Sequence, residues 1–481
     1  MIVLYIFLGI LAVLLLLLAV CAIRAATVKQ TPKKLDEKAD ESRAKNYSKT
    51  LSEMVKIPTV SSIGQTDYTE FEKFHTLLET LFPLTHKHLE RKIIEHGLIY
   101  HWKGETNDKA VVLMSHHDVV SATGDWTHEP FGGEIKDGVI WGRGTFDTKG
   151  SLFAIFQSVE ELLAKGYKPK NDLYITSGCD EETDSLSQTQ IVKYLTENKV
   201  KIGLVIDEGG AATTDPMGGV KGAFAMIGVA EKGYADIKFV AKSKGGHASV
   251  QQKNTPIAKL AAFITYLEKH DPFTKKMNPT IKEMFTRMAP YSTFAIRLIF
   301  SNLWLFGGLL TKLLDKISPS GGAMVKTTYS FTTCGGSESL NVLPDTAYVT
   351  ANVRFIFHQD MDESIVIFGK IADKFGLEME VLQSNPACKV VSYQSDMFRM
   401  VERIITDNYK DIVVSPYVMT GATDGRHYNA LCDNVLRFSP VYAIAEQIDS
   451  MHSLNENIYI NSLPKAVDFY KQVIEKYNEK V

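Results

Sequence analysis

The sequence predicts an α/β fold, and three observations predict it. Apolar runs of β type, Val111-Val112-Leu113-Met114, Leu173-Tyr174-Ile175-Thr176 and Ile202-Gly203-Leu204-Val205-Ile206, each stop at histidine or carboxylate residues. An amphipathic helical stretch from Ser151 to Ala164, with Gly166 placed as its C-cap, follows the first run. A new α+β unit begins near Ala235 with the alternating run Ala235-Asp236-Ile237-Lys238-Phe239-Val240-Ala241.

In chain order, the first element is the stretch from Ile2 to Ile23, which carries no charge and is dominated by Leu, Val and Ile. That length can span a bilayer as one helix. No positively charged leader precedes it, and Leu18-Ala19-Val20-Cys21 has Val where a lipoprotein cleavage site wants a small residue, which favours an uncleaved anchor over 1–26. Arg24, Lys29, Lys33, Lys34 and Lys38 follow, and the positive-inside rule would hold that flank in the cytoplasm. Residues 27–46 are charged and poor in apolar side chains, which reads as a linker or the start of a stalk helix, so the globular part is expected from Tyr47.

The first ligand-bearing element ends in Ser115-His116-His117-Asp118. Residues two apart on an extended backbone point the same way, so Asp118 suits the orientation of the His116 ring, although a surface His-Asp contact fits the same spacing. Next, Gly142-Arg143-Gly144-Thr145-Phe146-Asp147 puts a carboxylate just before the helix, in a glycine-punctuated loop equally at home in any tight turn. The second run ends in Asp180-Glu181-Glu182-Thr183-Asp184, whose mutual repulsion a solvated turn or a divalent metal would offset. Two adjacent glutamates can divide labour, one ligating metal and one accepting a proton. The third run ends at Asp207-Glu208-Gly209, and Met451-His452-Ser453-Leu454-Asn455-Glu456 supplies a distant imidazole. Three strand ends and one remote histidine are the pattern expected when a sheet edge carries a metal centre.

Composition agrees with a globular enzyme: 481 residues, 45% hydrophobic, 23% charged, net charge −3. No basic block argues for nucleic acid. The five cysteines, Cys21, Cys179, Cys334, Cys388 and Cys432, are odd in number and widely spaced, which disfavours a disulfide framework; the apolar strand before Cys179 makes it a buried thiol rather than a nucleophile.

In this ordered series the chain resembles the M20 metallopeptidases, in the branch of carboxypeptidase S and the N-acyl-amino-acid amidohydrolases. The resemblance runs from Tyr47 onward and rests on His-x-Asp-Val-Val at 116–120, Gly-Arg-Gly-Thr-x-Asp at 142–147, Asp-Glu-Glu at 180–182, Asp-Glu-Gly at 207–209, Gly-Gly-His at 245–247, Asn-x-x-Pro at 341–344 and Thr-Asp-x-Arg at 423–426. It implies a di-zinc exopeptidase-type catalytic domain with a mixed sheet flanked by helices, and an inserted α+β lid and dimerisation domain. It implies that Asp147 bridges two zinc ions, that His116 and Asp207 complete one site, and that Glu182 and His452 complete the other. Cobalt or manganese fits the same ligands. Glu181 becomes the general base and Asp118 the residue that holds His116. His247 would stabilise the oxyanion, in this chain's own site or a partner's, while Asn341, Arg354, Gly421 and Thr423 would contact a substrate with a free carboxylate. Ala422 departs from the Gly or Asn of many relatives.

The expected division is therefore an anchor at 1–26, a linker at 27–46, catalytic segments at 47–232 and 391–481, and the lid and dimerisation unit at 233–390 with helices at Pro256 to Lys269 and Asp362 to Phe375. The run Phe294 to Phe306 reads as an aromatic-rich wall of the substrate cleft, as core or dimer packing, or as a membrane-facing surface. The implied reaction is that of a carboxypeptidase on short peptides, with hydrolysis or synthesis of N-acyl amino acids as its alternative. A receptor-like domain without catalysis is the reading from another class, against which all the expected ligands are present. The same resemblance favours an extracytoplasmic or lumenal catalytic part, against the charge rule.

Overall fold

The computed structural model describes residues 1–32 and 40–480, the side chain of Lys480 excepted; Lys33, Lys34 and Lys38 lie outside the described residues. Its larger sheet has ten strands among the described residues. The central ones, Asn171–Ser177, Thr106–Met114, Ile202–Asp207 and Val435–Arg437, run parallel to one another. Glu90–Ile94 and Gly97–Trp102 add an antiparallel edge, and Ala223–Glu231 pairs antiparallel with Val435–Arg437 and parallel with Val413–Met419. The parallel strands are apolar along their length because helices cover both faces. The helix Lys149–Ala164 shows why: Leu152, Phe153, Ile155, Phe156 and Val159 are all fully buried against the sheet.

A second sheet of four antiparallel strands takes the order Thr328–Gly335, Thr346–Phe355, Gly233–Lys242, Glu378–Asn385. Its strands alternate buried and half-buried residues, as a sheet covered on one face should. The covering helices are Pro256–Lys269, capped by Thr255, and Met361–Lys374, capped by Asp360, whose Oδ1 accepts the Glu363 N–H at 2.8 Å. Phe263, Leu267, Phe368 and Ile371 close over Ile237, Phe239, Val349 and Val353 to form a core of its own.

Two findings sharpen the reading from sequence. Ordered structure begins before Tyr47: the helix Glu41–Val55 already buries Ala44, and Arg43 makes a two-pronged pair with Asp468 at 2.8 and 2.9 Å. The region 294–306 is two helices, Phe294–Phe300 and Leu303–Ile317, bent by 107°. They pack on Phe285, Met288 and Phe224 and on the N-terminal helix Ile2–Thr27. That N-terminal helix is long and apolar enough to cross a bilayer. All five cysteines are free, Cys179 buried and Cys334 exposed.

Candidate metal centre

Parallel strands deliver their carboxyl ends to one edge, and the candidate ligands gather there. His116 follows the strand Thr106–Met114, Glu181 and Glu182 follow Asn171–Ser177, and Glu208 follows Ile202–Asp207. Asp147 stands two residues ahead of the helix Lys149–Ala164. Potential donor atoms of His116, Asp147 and Glu182 lie within 4.8 Å of one another, and so do those of His116, Glu181 and Glu208.

Asp147 lies between two imidazoles. Its Oδ1 is 3.1 Å from His116 Nε2, and its Oδ2 is 3.0 Å from His452 Nε2. The same His452 nitrogen is 3.0 Å from Glu182 Oε1. Burial alone would raise the Asp147 pKa, but the two imidazoles hold it well below the usual carboxylate range. His452 is pushed up to about 10 by its hydrogen bonds to Asp147 and Glu182. His116 is raised despite complete burial, which acts the other way, because Glu208, Asp118 and Asp147 surround it.

Asp118 is wholly buried and organises the strand ends. Its Oδ1 lies 3.3 Å from His116 Nδ1 and accepts the Glu181 N–H at 3.2 Å; its Oδ2 accepts the Glu182 N–H at 3.1 Å and the Ser61 hydroxyl at 2.7 Å. With Nδ1 turned to Asp118, also 3.0 Å from its carbonyl oxygen, Nε2 is the nitrogen that faces Asp147. Glu181 is raised well above the ordinary carboxylate range, first by burial and then by Glu208, Asp424 and Glu182, with His116 opposing. A carboxyl so placed is suited to accept a proton.

Asp207 is held by backbone N–H groups on both of its oxygens. Its Oδ1 accepts the Glu208 N–H at 2.8 Å and its Oδ2 the Gly425 N–H at 2.6 Å, while Glu208 Oε1 lies 3.3 Å from His116 Nε2. Successive side chains of a strand face opposite sides, so only one of the two acids reaches His116, and it is Glu208. A Cβ at Gly425 would come 2.9 Å from Asp207 Oδ2, which is why the opposing loop carries glycine there.

Glu456, unassigned from sequence, is a second organising acid. Fully buried, it accepts Phe146 and Asp147 N–H groups on Oε1 at 2.9 and 3.0 Å, and the Gly144 N–H and Arg143 Nη1 on Oε2 at 3.1 and 2.8 Å. It thereby fixes the whole Asp147 loop. The signal lay in the same Met451-to-Glu456 segment that supplies His452. At Gly142, with φ +146°, a Cβ would lie 2.5 Å from Val55 Cγ1, so the loop's first turn also demands glycine.

The other expected contact residues fall in two places. His247 pairs with Val342 in a two-stranded ribbon that leaves His247 and Asn341 exposed; His247 Nδ1 accepts the Ser249 N–H at 3.1 Å, and a turn, not a helix, follows it. Arg354 lies on the four-stranded sheet, its guanidinium 4.8 Å over the Tyr234 ring and its Nε 3.2 Å from Asn352 Oδ1. Gly421 is exposed. Thr423 is buried, and its N–H and hydroxyl both donate to Glu231, at 3.1 and 2.7 Å. Glu231 is itself paired with the buried Arg437.

Two imidazoles and a set of clustered carboxylates, several of them buried side by side, have the chemistry of a divalent-metal site rather than of a stable metal-free surface. Fold and site together define a metal-dependent hydrolase acting on peptide or amide bonds. The description peptidase family M20/M25/M40 matches residues 112–476, and the chain belongs to that family. It is 34% identical over 420 residues to a probable carboxypeptidase S-like 2 of Dictyostelium discoideum, covering 85% of this chain and 80% of that one. It is 32% identical over 480 residues to the N-fatty-acyl-amino acid synthase/hydrolase PM20D1 of Xenopus tropicalis, covering 96% and 93%. Among solved structures, the M20 family metallo-carboxypeptidase Sso-CP2 of Sulfolobus solfataricus shares the fold with a TM-score of 0.67 at 19% identity, over 90% of this chain and 99% of that one.

Proposed function

We propose that this protein is a two-metal carboxypeptidase that releases the C-terminal residue of short peptides by hydrolysing the last amide bond. The observation that carries this reading is Asp147, each of whose oxygens faces a different imidazole at 3.0–3.1 Å. One carboxylate facing two nitrogen donors is the arrangement of a bridging ligand. On this reading His116 and Glu208 complete one metal position, and His452 and Glu182 the other, with zinc as the metal best matched to mixed imidazole and carboxylate donors. Such a metal pair supplies a water of lowered pKa and polarises the amide carbonyl.

The chain's own residues do the rest. Glu181 accepts the proton of the attacking water and returns it to the departing amine. Asp118 keeps His116 in one tautomer and holds the Glu181 and Glu182 backbone in register. Arg354 offers a planar fork to the substrate carboxylate, Asn341 assists it, and His247 donates to the carbonyl oxygen as it gains charge. The four-stranded unit within 233–390 acts as lid and dimerisation surface. The helix Ile2–Thr27 is the membrane anchor, with the catalytic part on the extracytoplasmic or lumenal side.

A second reading, cleavage or formation of N-fatty-acyl amino acids, is favoured by the match to the Xenopus protein of that name along 96% of this chain. The amide beside a free carboxylate is common to both substrates. The test is metal content of the full chain in detergent, with amino acid release from dipeptides and matched N-acyl amino acids. About two zinc ions per chain and activity that needs the free carboxylate are expected, and the faster substrate chooses between the readings. A folded chain that binds no metal and cleaves neither substrate after zinc is supplied overturns both in favour of a receptor-like domain.

A further inference from the structure

The helix Leu303–Ile317 is apolar on two opposite sides. Gly307, Leu310, Thr311 and Leu314 form its inward stripe and are buried. Leu305, Leu309, Leu313 and Ile317, four residues apart in succession, form an outward stripe that the protein leaves exposed, Leu309 by 59% and Ile317 by 67%. Trp304 stands beside that stripe at 54% exposure. Lys312 and Lys316 are also exposed and follow Trp304 along the same line of the helix. The exposed side thus sets large apolar side chains beside two lysines, and exposed apolar side chains grouped in this way mark a docking surface.

Its occupant follows from what it touches. Cys21 and Ala25 of the N-terminal helix are buried against the helix Phe294–Phe300, and Asn302 Nδ2 donates to Cys21 O at 3.1 Å. Below this contact, Gln30 N–H donates to Pro290 O at 2.9 Å, and Tyr291 Oη donates to Gln30 Oε1 at 2.6 Å. The uncharged stretch from Ile2 to Ile23 is roughly 33 Å long as a helix, about the thickness of a bilayer's hydrocarbon core. Cys21 to Ala25 therefore marks the level at which the anchor leaves the lipid. The bent helix pair is held at that level, where an apolar face sinks about 5–10 Å into the boundary between headgroups and acyl chains.

We propose that the outward face of the helix Leu303–Ile317 lies in the surface of the bilayer beside the anchor, with Trp304 among the upper acyl chains and Lys312 and Lys316 reaching back to the lipid phosphates. The inference rests on the reading of Ile2–Thr27 as an anchor. The catalytic body is then fixed to the membrane at two places and has one orientation on it, rather than swinging on a tether. Trp and Lys are the side chains suited to such a boundary, one amphipathic and the other long enough to snorkel.

The experiment uses the full chain in lipid nanodiscs containing phosphatidylcholine brominated high on the acyl chain, with tryptophan fluorescence as the readout. The chain has 4 tryptophans, so one of them in lipid gives a distinct quenchable share. The quenchable share is expected to fall at least twofold in Trp304→Phe and to return when Leu309→Trp is added. An unchanged share in Trp304→Phe, or no return with Leu309→Trp in a folded chain, overturns the proposal. A face covered instead by a second copy would leave Trp304 unquenched and cross-link between chains, which also overturns it. Intact mass tests the anchor separately: loss of residues 1–27 ends the anchor reading, and the same quenching comparison on liposomes still decides the lipid-facing surface.

Discussion

The metal edge and the four-stranded unit are built in opposite ways. At the edge, Asp118 and Glu456 are fully buried and spend their oxygens on backbone N–H groups and on neighbouring side chains, so the loops that carry His116, Asp147, Glu181 and Glu182 are fixed without help from substrate. On the four-stranded side, His247 and Asn341 sit on an exposed ribbon of two short strands, and Arg354 is held by one hydrogen bond and a ring face. One side is therefore preassembled by buried acids, and the other, on the proposed reading the side that recognises substrate, is only lightly held.

The sharpest way to break this contrast is Glu181→Gln. If the edge is preassembled, metal and fold persist while turnover falls by about 10²–10⁴, measured by kcat beside elemental analysis. Loss of metal would mean that the two adjacent glutamates have exchanged roles. Next in size, Glu456→Gln leaves Arg143 buried without its counter-charge and should cost about 3–5 kcal/mol in denaturant unfolding.

Glu208→Ala and Asp207→Asn then separate the two neighbours. The first should lower metal content at the His116 side with little change in stability. The second should keep metal and lose about 1–3 kcal/mol, because the Glu208 and Gly425 N–H groups lose a charged acceptor. The reverse outcome would restore Asp207 as ligand. On the exposed side, Arg354→Ala should weaken binding of free-carboxylate substrates by about 1.5–3 kcal/mol, seen in KM rather than kcat; an unchanged preference over amidated analogues would remove Arg354 from recognition.

The smallest effect concerns metal-free protein. His452 titrates in the fold near 10, above its unfolded value, so the stability it contributes is fully present below about pH 6.5 and is lost as pH rises through 10. Melting curves of chelated protein across that range should decline relative to metal-loaded protein, and parallel curves would mean that Asp147 and Glu182 do not hold the ring.

Much of this was legible because short-range patterns carry it. Apolar runs ending in histidine or acids mark the three strand ends that the sheet brings to one edge, and alternation marks the strands of the four-stranded sheet. What stayed hidden was decided by direction or by distance. Asp207 and Glu208 are adjacent acids, and the sequence does not say which of them faces His116. The bonds of Thr423 to Glu231, far away in the chain, leave no mark in the local pattern. The start of the fold was read too late because Arg43 looks like a linker charge until Asp468, 425 residues on, is seen beside it. The apolar run at 294–306 could not be placed from composition, since lipid, core and substrate walls share it.

Glu456 and His452 stand more than 300 residues beyond the loop they complete. During synthesis, the nascent chain therefore emerges with His116, Asp147 and the paired glutamates long before the residues that hold the Asp147 loop from the other side. The Asp147 loop takes its full set of partners only once the segment beyond 451 has folded back onto it. The order in which the chain is made and the order in which this loop is tied down are therefore far apart, and a polypeptide cut before that segment would lack both the carboxylate that holds the Asp147 backbone and the imidazole that faces Asp147 Oδ2.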